Sequence, residues 1–315
     1  MRKDAKQVLK ALAGSEECMN NQKSAFVAIV GRPNVGKSSL LNVFVGEKVA
    51  IVTDKPQTTR TRITGVLTTG DIQLVFIDTP GIHKPKTKLS EYMVKQVRES
   101  VADVDVAVLV TEPTGEIRDT ELALLERFAQ RGLPAILAVN KIDTLQHKEL
   151  MLEKIQKFAG LYNFEAVVPI SALYRDGVDI LLDKLCGYAV PGPHYFDSDA
   201  FTDQPERVLV AEMVREKLLM AMREEIPHGS AVMVEEMKER PDKPLMDISV
   251  VIFCEKESHK GMIIGKKGAM LKKIASESRE EIEAFLDIPI NLQCWVKVKE
   301  DWRNRDGVIK TLGFQ

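Results

Sequence analysis

Cysteine is scarce and scattered in this chain. Its four cysteines, Cys18, Cys186, Cys254 and Cys294, lie far apart and include no C-x-x-C pair. Neither a disulfide framework nor a zinc site is expected from that spacing, and a reducing cytoplasm is the setting it suits. No apolar run approaches the ~18 residues needed to span a bilayer. No segment repeats. Charge of one sign is missing too: 44 Lys and Arg stand against 46 Asp and Glu, a formal net charge of −2. The whole chain therefore carries no electrostatic bias toward nucleic acid. What remains is 315 residues, 44% hydrophobic and 29% charged, an ordinary composition long enough for two soluble domains with a core each.

Against this plain background one stretch is specific. Gly31-Arg32-Pro33-Asn34-Val35-Gly36-Lys37-Ser38 fits G-x-x-x-x-G-K-[ST] in full, after an apolar strand (Ala25–Val30) and before a helix (Ser39–Val45). The glycines let the backbone wrap phosphates, so that N–H groups and the helix N-terminus face the negative charge. Lys37 reaches the outer phosphates and the Ser38 hydroxyl ligates Mg²⁺. The pattern occurs once in this sequence, which argues against a tandem pair of such domains.

The ends of later apolar strands add the base and the metal. Ile72–Ile77 runs into Asp78-Thr79-Pro80-Gly81, where Asp78 is a second Mg²⁺ holder and Gly81 brings a backbone N–H to the γ-phosphate, followed by Ile82. Leu133–Val139 runs into Asn140-Lys141-Ile142-Asp143. Asp143 accepts two hydrogen bonds from guanine, and adenine would leave this buried carboxylate unpaired. Lys141 lays its stem along the base. Ala166–Ile170 leads to Ser171-Ala172-Leu173, whose backbone faces the guanine oxygen. Each string is weak alone; in this order, each at a strand end, they specify a guanine nucleotide, GTP or GDP.

Pro56-Gln57-Thr58-Thr59-Arg60 precedes the hairpin Ile63–Thr69/Ile72–Ile77. A threonine here completes the Mg²⁺ shell, Thr59 being the better candidate and Thr58 the runner-up. Lys37, Thr59 and Gly81 are the candidate catalytic positions. Where Ras-like proteins carry a water-orienting Gln, this chain has Ile82; neighbouring His83 reads as a solvated loop residue. Slow intrinsic hydrolysis follows, with water positioned by another group.

The C-terminal part has its own signature, Gly261-Met-Ile-Ile-Gly265-Lys266-Lys267-Gly268 followed by an amphipathic helix, Ala269–Leu286. A G-x-x-G loop brings backbone close to a nucleic-acid strand. From residue 201 on, 19 Lys and Arg face 21 Asp and Glu, yet Lys260, Lys266, Lys267, Lys272 and Lys273 fall in an acid-free window between Ser258 and Ser276. Elsewhere such a run is a solvated face; astride G-x-x-G it reads as phosphate contacts. The element order is helix (Arg207–Ile226), strands (Ala231–Met237, Asp247–Glu255), short helix, long helix and strand (Ile290–Lys299).

The run GRPNVGKSSL, then PQTTRTR, DTPGIH, NKID and SAL, resembles the Era-like branch of the translation-factor-class GTPases, and the C-terminal order resembles a type II K-homology module, as in the Era family. The resemblance covers the chain from Ser24 to Gln315. It implies a doubly wound α/β P-loop GTPase domain with a mixed sheet, followed by an α+β RNA-binding domain. It also implies a monomeric ribosome-assembly factor binding the 3′ end of 16S ribosomal RNA in the 30S subunit, with peripheral contact with the inner membrane face. Relatives sharing GRPN hold a K⁺ ion with the Asn, which the resemblance carries to Asn34. Expected boundaries are an N-terminal extension at 1–22, a nucleotide domain at 23–190, a Pro-stiffened linker at 191–206, an RNA domain at 207–300 and a C-terminal tail at 301–315. The extension reads as a frayed tail or an early-start product, Met19 being another initiator, with a short basic amphipathic helix the other reading. A GTP-sensing RNA chaperone and a membrane-signalling GTPase are the rival functions.

Overall fold

In the computed structural model, the described residues are 21–55, 58–81, 87–222, 226 and 229–313. Residues 1–20, Pro56, Gln57, Ile82 and His83 lie outside them, and so do the expectations for those positions. By internal contacts the chain forms two compact units: residues up to Val49 with Arg62–Thr79 and Arg98–Asp203, and Ala50–Thr61 with Pro80–Val97 and Gln204 onward.

The first unit begins with β1 (Lys23–Gly31) and α1 (Lys37–Val45), then the hairpin β2 (Ile63–Thr69) and β3 (Ile72–Asp78). After α2 (Lys88–Ser100), which starts in the second unit, come β4 (Val106–Thr111), α3 (Asp119–Arg131) and β5 (Ala135–Val139). Then follow α4 (Lys148–Ala159), β6 (Ala166–Pro169), α5 (Val178–Cys186) and the short β7 (Val190–Pro191). The sheet order is β2-β3-β1-β4-β5-β6, with β7 beside the start of β1. The strands run parallel except β2 and β7, which makes the sheet mixed. Ala25 and Val27–Val30 are fully buried, as are Val106–Val110; strands covered on both faces need continuous apolar runs of this kind. Strand order reverses between β1 and β4, and in open α/β sheets the crevice at the carboxyl ends beside such a reversal is where ligands bind.

The expected linker is largely tied to this unit. Gln73, fully buried, donates Nε2 to the Phe196 carbonyl at 2.9 Å and accepts from the Tyr195 and Phe196 amides at 2.7 and 3.0 Å. The Val66 amide donates to the Phe201 carbonyl at 2.9 Å, covering part of edge strand β2.

The second unit carries α6 (Glu206–Ala221), β8 (Ala231–Glu239), β9 (Met246–Cys254), α7 (Glu257–Ile264), α8 (Ala269–Leu286), β10 (Ile290–Val298) and α9 (Asp306–Thr311). Its sheet runs β10-β9-β8, with β10 parallel and β8 antiparallel to β9. α6 stops at Ala221, short of the expected Ile226. Met222, the residue after Ala221, is extended at φ −103° and ψ 158°. One sheet face packs Ile248, Val250 and Ile252 against Val214, Leu218, Ile274 and Ile282. The other face packs Val251 and Phe253 with Leu89, Met93, Trp302 and Ile309. That packing explains why Pro80–Val97 groups here, although the sequence reading assigned it to the nucleotide domain.

The expected C-terminal tail is also corrected. Trp302 is fully buried and donates its indole N–H to the Gly229 carbonyl at 2.9 Å, while α9 contributes Ile309. Trp295, in contrast, stands 56% exposed on β10. Trp302→Ala is expected to destabilise the second unit by ~3–5 kcal/mol, the usual cost of emptying a large aromatic site. Urea unfolding checks this, and an unchanged midpoint would return residues 301–313 to the status of a tail.

Candidate functional site

The phosphate loop leaves β1 through backbone conformations that few residues accept. Gly31 has φ +149° and Gly36 +97°, and a Cβ on Gly36 would fall 2.1 Å from Asn140 Nδ2. Asn34 also has positive φ, 64°. Glycine is required at 36 by space as well as by torsion.

Lys37 begins α1 and is 5% exposed. Its ammonium donates to the Gly31 and Arg32 carbonyls at 3.3 and 2.9 Å. Burial pushes its pKa down to about 8, with Asp78 pulling partly the other way. Next to it the Ser38 hydroxyl donates to Asp78 Oδ2 at 2.6 Å, so the two expected Mg²⁺ holders of this unit already meet. Thr79 is used differently from the expectation: its hydroxyl donates to the Ile29 carbonyl at 3.0 Å and ties β3 to β1. Pro80 and Gly81 are buried and belong to the second unit, as does Thr59.

Asn140, expected at the nucleotide, serves as a bracket. It is 2% exposed. Its Nδ2 donates to the Val35 carbonyl at 2.8 Å and its Oδ1 accepts from the Ala172 amide at 2.9 Å, joining the phosphate loop to the Ser171-Ala172-Leu173 loop. Lys141, at φ 67°, donates to the Asn34 carbonyl and to Glu112 Oε1, both at 2.6 Å. Asp143 is exposed rather than buried; Ser171 Oγ donates to its Oδ1 at 2.5 Å, fixing the carboxylate. Leu173 is 75% exposed beside this loop.

Two acidic residues escaped the sequence reading. Glu121, fully buried, lies 3.2 Å from Arg32 Nε and accepts from Thr111 Oγ1 at 3.2 Å and the Arg118 amide at 3.0 Å. Glu112 bridges Arg32, at 3.8 Å, and Lys141. Arg32 thus spends its charge on anchoring the phosphate loop. A carboxylate in the first turn of α3 was the available signal, but nothing in the string paired it with Arg32.

In the second unit, Gly265 (φ 72°), Lys267 (φ 53°) and Gly268 (φ 79°) form the tight turn that the motif demands. A Cβ on Gly265 would fall 2.7 Å from that of Met270. Lys266, Lys267 and Lys272 are exposed. Lys260 and Lys273 each have a glutamate at 3.8 Å, Glu257 and Glu277, just outside the acid-free window. Exposed helical pairs of that kind are worth little, so all five lysines remain available to an anion. Among the described residues no helix is long and apolar enough to cross a membrane.

Comparison with known proteins gives a consistent pattern. The family described as 50S ribosome-binding GTPase matches residues 26–141, and the KH domain family matches 225–303. The GTPase Era of Ruminiclostridium cellulolyticum is 49% identical, covering 93% of this chain and 98% of its own. That of Clostridioides difficile is 50% identical over the same shares. Among solved structures, a variant of Aquifex aeolicus Era bound to GDP and aluminium fluoride superposes with TM-score 0.89 at 37% identity, over 93% of this chain and 99% of that one. Era in complex with MgGDPNP and nucleotides 1506–1542 of 16S ribosomal RNA does so with TM-score 0.87, at the same identity and shares.

The buried ammonium yields a titration. A lysine whose folded pKa lies below its unfolded one binds fewer protons when folded. In the free protein this group therefore adds stability as pH rises from about 8 toward 10.5. A diphosphate bound against this ammonium would reverse the preference. Lysine Nζ resonances are expected to titrate near 8 for Lys37 in the free protein and to return toward 10.5 with GDP bound. A titration unmoved by GDP would remove Lys37 from the phosphates.

Proposed function

Because the chain belongs to the Era family of GTPases, we propose that it binds the 3′ end of 16S ribosomal RNA and acts in assembly of the small ribosomal subunit as a GTP-driven switch. The observation that carries this reading is the pairing, in one chain, of Ser38, just after the phosphate loop, 2.6 Å from Asp78 at the end of β3, with a Gly265-Lys266-Lys267-Gly268 turn flanked by exposed lysines. The 50S label attaches to the family of the nucleotide domain alone; the RNA choice is made by the other unit.

Ser38 and Asp78 would hold Mg²⁺, with Thr59 completing the shell when GTP is bound, and the ion would neutralise charge developing on the phosphates. Lys37 and the loop amides stabilise the same charge from the protein side, and the Gly81 N–H senses the γ-phosphate. Asp143, oriented by Ser171, accepts the two guanine donors while Lys141 covers the ring. Arg32, Pro33, Val35, Thr79, Pro80 and Ile142 shape the loops that carry these groups. Ile82 supplies no acid or base, so the intrinsic rate is slow.

In the same reading Asn34 holds K⁺ beside the phosphates, where an arginine would otherwise stand. Hydrolysis is expected to be faster in K⁺ than in Na⁺ at equal ionic strength, and Asn34→Ala is expected to erase the difference. Equal rates in the two salts for the parent chain would remove K⁺ while leaving the GTPase intact.

The RNA assignment is tested at the turn. Replacing Lys266 and Lys267 together by Asp changes charge without removing an apolar contact. RNA affinity is expected to fall, and the salt slope of log K to shrink by ~0.7 for each lost phosphate contact, while intrinsic GTP hydrolysis stays near the parent's. Binding measured across a salt series decides it; an unchanged affinity and slope would make the lysines a solvated face.

A further inference from the structure

Glu112 is the first residue beyond β4, and the reaction as read above gives it no task. Its backbone is nevertheless fixed from both sides. Thr111 before it, fully buried, gives its carbonyl to the Asn140 amide at 2.8 Å and its hydroxyl to Glu121 at 3.2 Å. Two residues after it, the Thr114 carbonyl accepts from the ammonium of Lys154, a lysine only 3% exposed, at 2.8 Å. A carboxylate carried on backbone held in this way is aimed rather than free.

It is aimed at two cations. Oε1 accepts from Lys141 Nζ at 2.6 Å, and Oε2 lies 3.8 Å from Arg32 Nη2. Arg32 is itself fixed by the fully buried Glu121, 3.2 Å from its Nε. Lys141 Nζ also donates to the Asn34 carbonyl at 2.6 Å. The ammonium is therefore held at two points, a phosphate-loop carbonyl and Glu112, and the four-carbon stem is strung between them and a backbone at φ 67°. The Glu112 and Lys141 side chains are 36% and 38% exposed, and an ion pair that open to water adds little to stability. All these residues belong to the first unit.

We propose that Glu112 is a positioning residue for the nucleotide base: by holding the Lys141 ammonium it keeps the lysine stem laid out for the purine ring before a nucleotide arrives. The proposal rests on the reading above of Lys141 as the cover of the base. A lysine side chain free to rotate loses conformational freedom on meeting a ligand, and one already anchored loses less. The gain falls on the ring, so GDP and GTP share it equally, and it is blind to the groups on the purine edge. Asp143 reads that edge; Glu112 acts on the face.

The test uses the full chain and measures affinity and dissociation rate for three nucleotides: GDP, a non-hydrolysable GTP analogue, and inosine diphosphate, which lacks the exocyclic amine. Glu112→Gln keeps the shape and removes the charge. It is expected to weaken all three by one common factor, about three- to fivefold, the scale of a half-exposed ion pair, and chiefly through faster dissociation. Lys141→Met keeps the stem and loses the ammonium, and in that background Glu112→Gln is expected to change nothing further. A second, equal weakening there would mean that Glu112 acts through Arg32 and the phosphate loop, and would overturn the proposal. A loss confined to one of the three nucleotides would overturn it as well. Lys141→Ala removes the stem and tests the reading beneath. If it weakens binding while Glu112→Gln leaves affinity unchanged or tighter, the proposal falls and the reading of Lys141 stands. If Lys141→Ala binds as the parent does, that reading fails and takes the proposal with it.

Discussion

A single buried amide organises the nucleotide unit. Asn140 spends Nδ2 on the Val35 carbonyl and Oδ1 on the Ala172 amide, while its own backbone N–H donates to the Thr111 carbonyl at 2.8 Å. The phosphate loop, the Ser171-Ala172-Leu173 loop and the end of β4 are thereby fixed to one residue. No other side chain combines a donor and an acceptor at this length with no charge to bury except glutamine, which would overshoot. The glycine at 36 follows from the same constraint, because any Cβ there would occupy the place of Nδ2.

Around this neutral centre the charges form a second layer. Glu121 and Glu112 take up Arg32 and Lys141, and Lys141 returns to the Asn34 carbonyl. The phosphate loop is therefore held from both sides, by an amide beneath and an ion-pair chain at its rim. Burial lowers the pKa of Lys37, whose ammonium donates to two backbone carbonyls. A cation desolvated in this way is held at some cost to the free protein.

Much of this was legible because parallel strands put their chemistry at one edge. Apolar runs located β1, β3, β5 and β6, and each motif sits where its strand ends. The hairpin from Ile63 and the bounds of Ala269–Leu286 also follow from the sequence pattern. Three things did not. Partners of Arg32 and of Asn140 depend on strand order, which no local string encodes. Asp143 was read as buried because a discriminating carboxylate must be dry, yet it stands exposed in a short 3-10 turn. Trp302 lies among Glu300, Asp301, Arg303, Asn304 and Arg305, and so polar a neighbourhood hid the residue that anchors the C-terminal segment.

The two tryptophans give the molecule an optical asymmetry. Trp302 is sealed in the core of the second unit, Trp295 stands in solvent on β10, and the chain has no third. The indole emission is thus the sum of a blue, unquenchable component and a red one open to small quenchers. Both emitters belong to the same unit. Light absorbed by indole reports on the RNA-binding fold alone, and the nucleotide-binding sheet is dark at that wavelength.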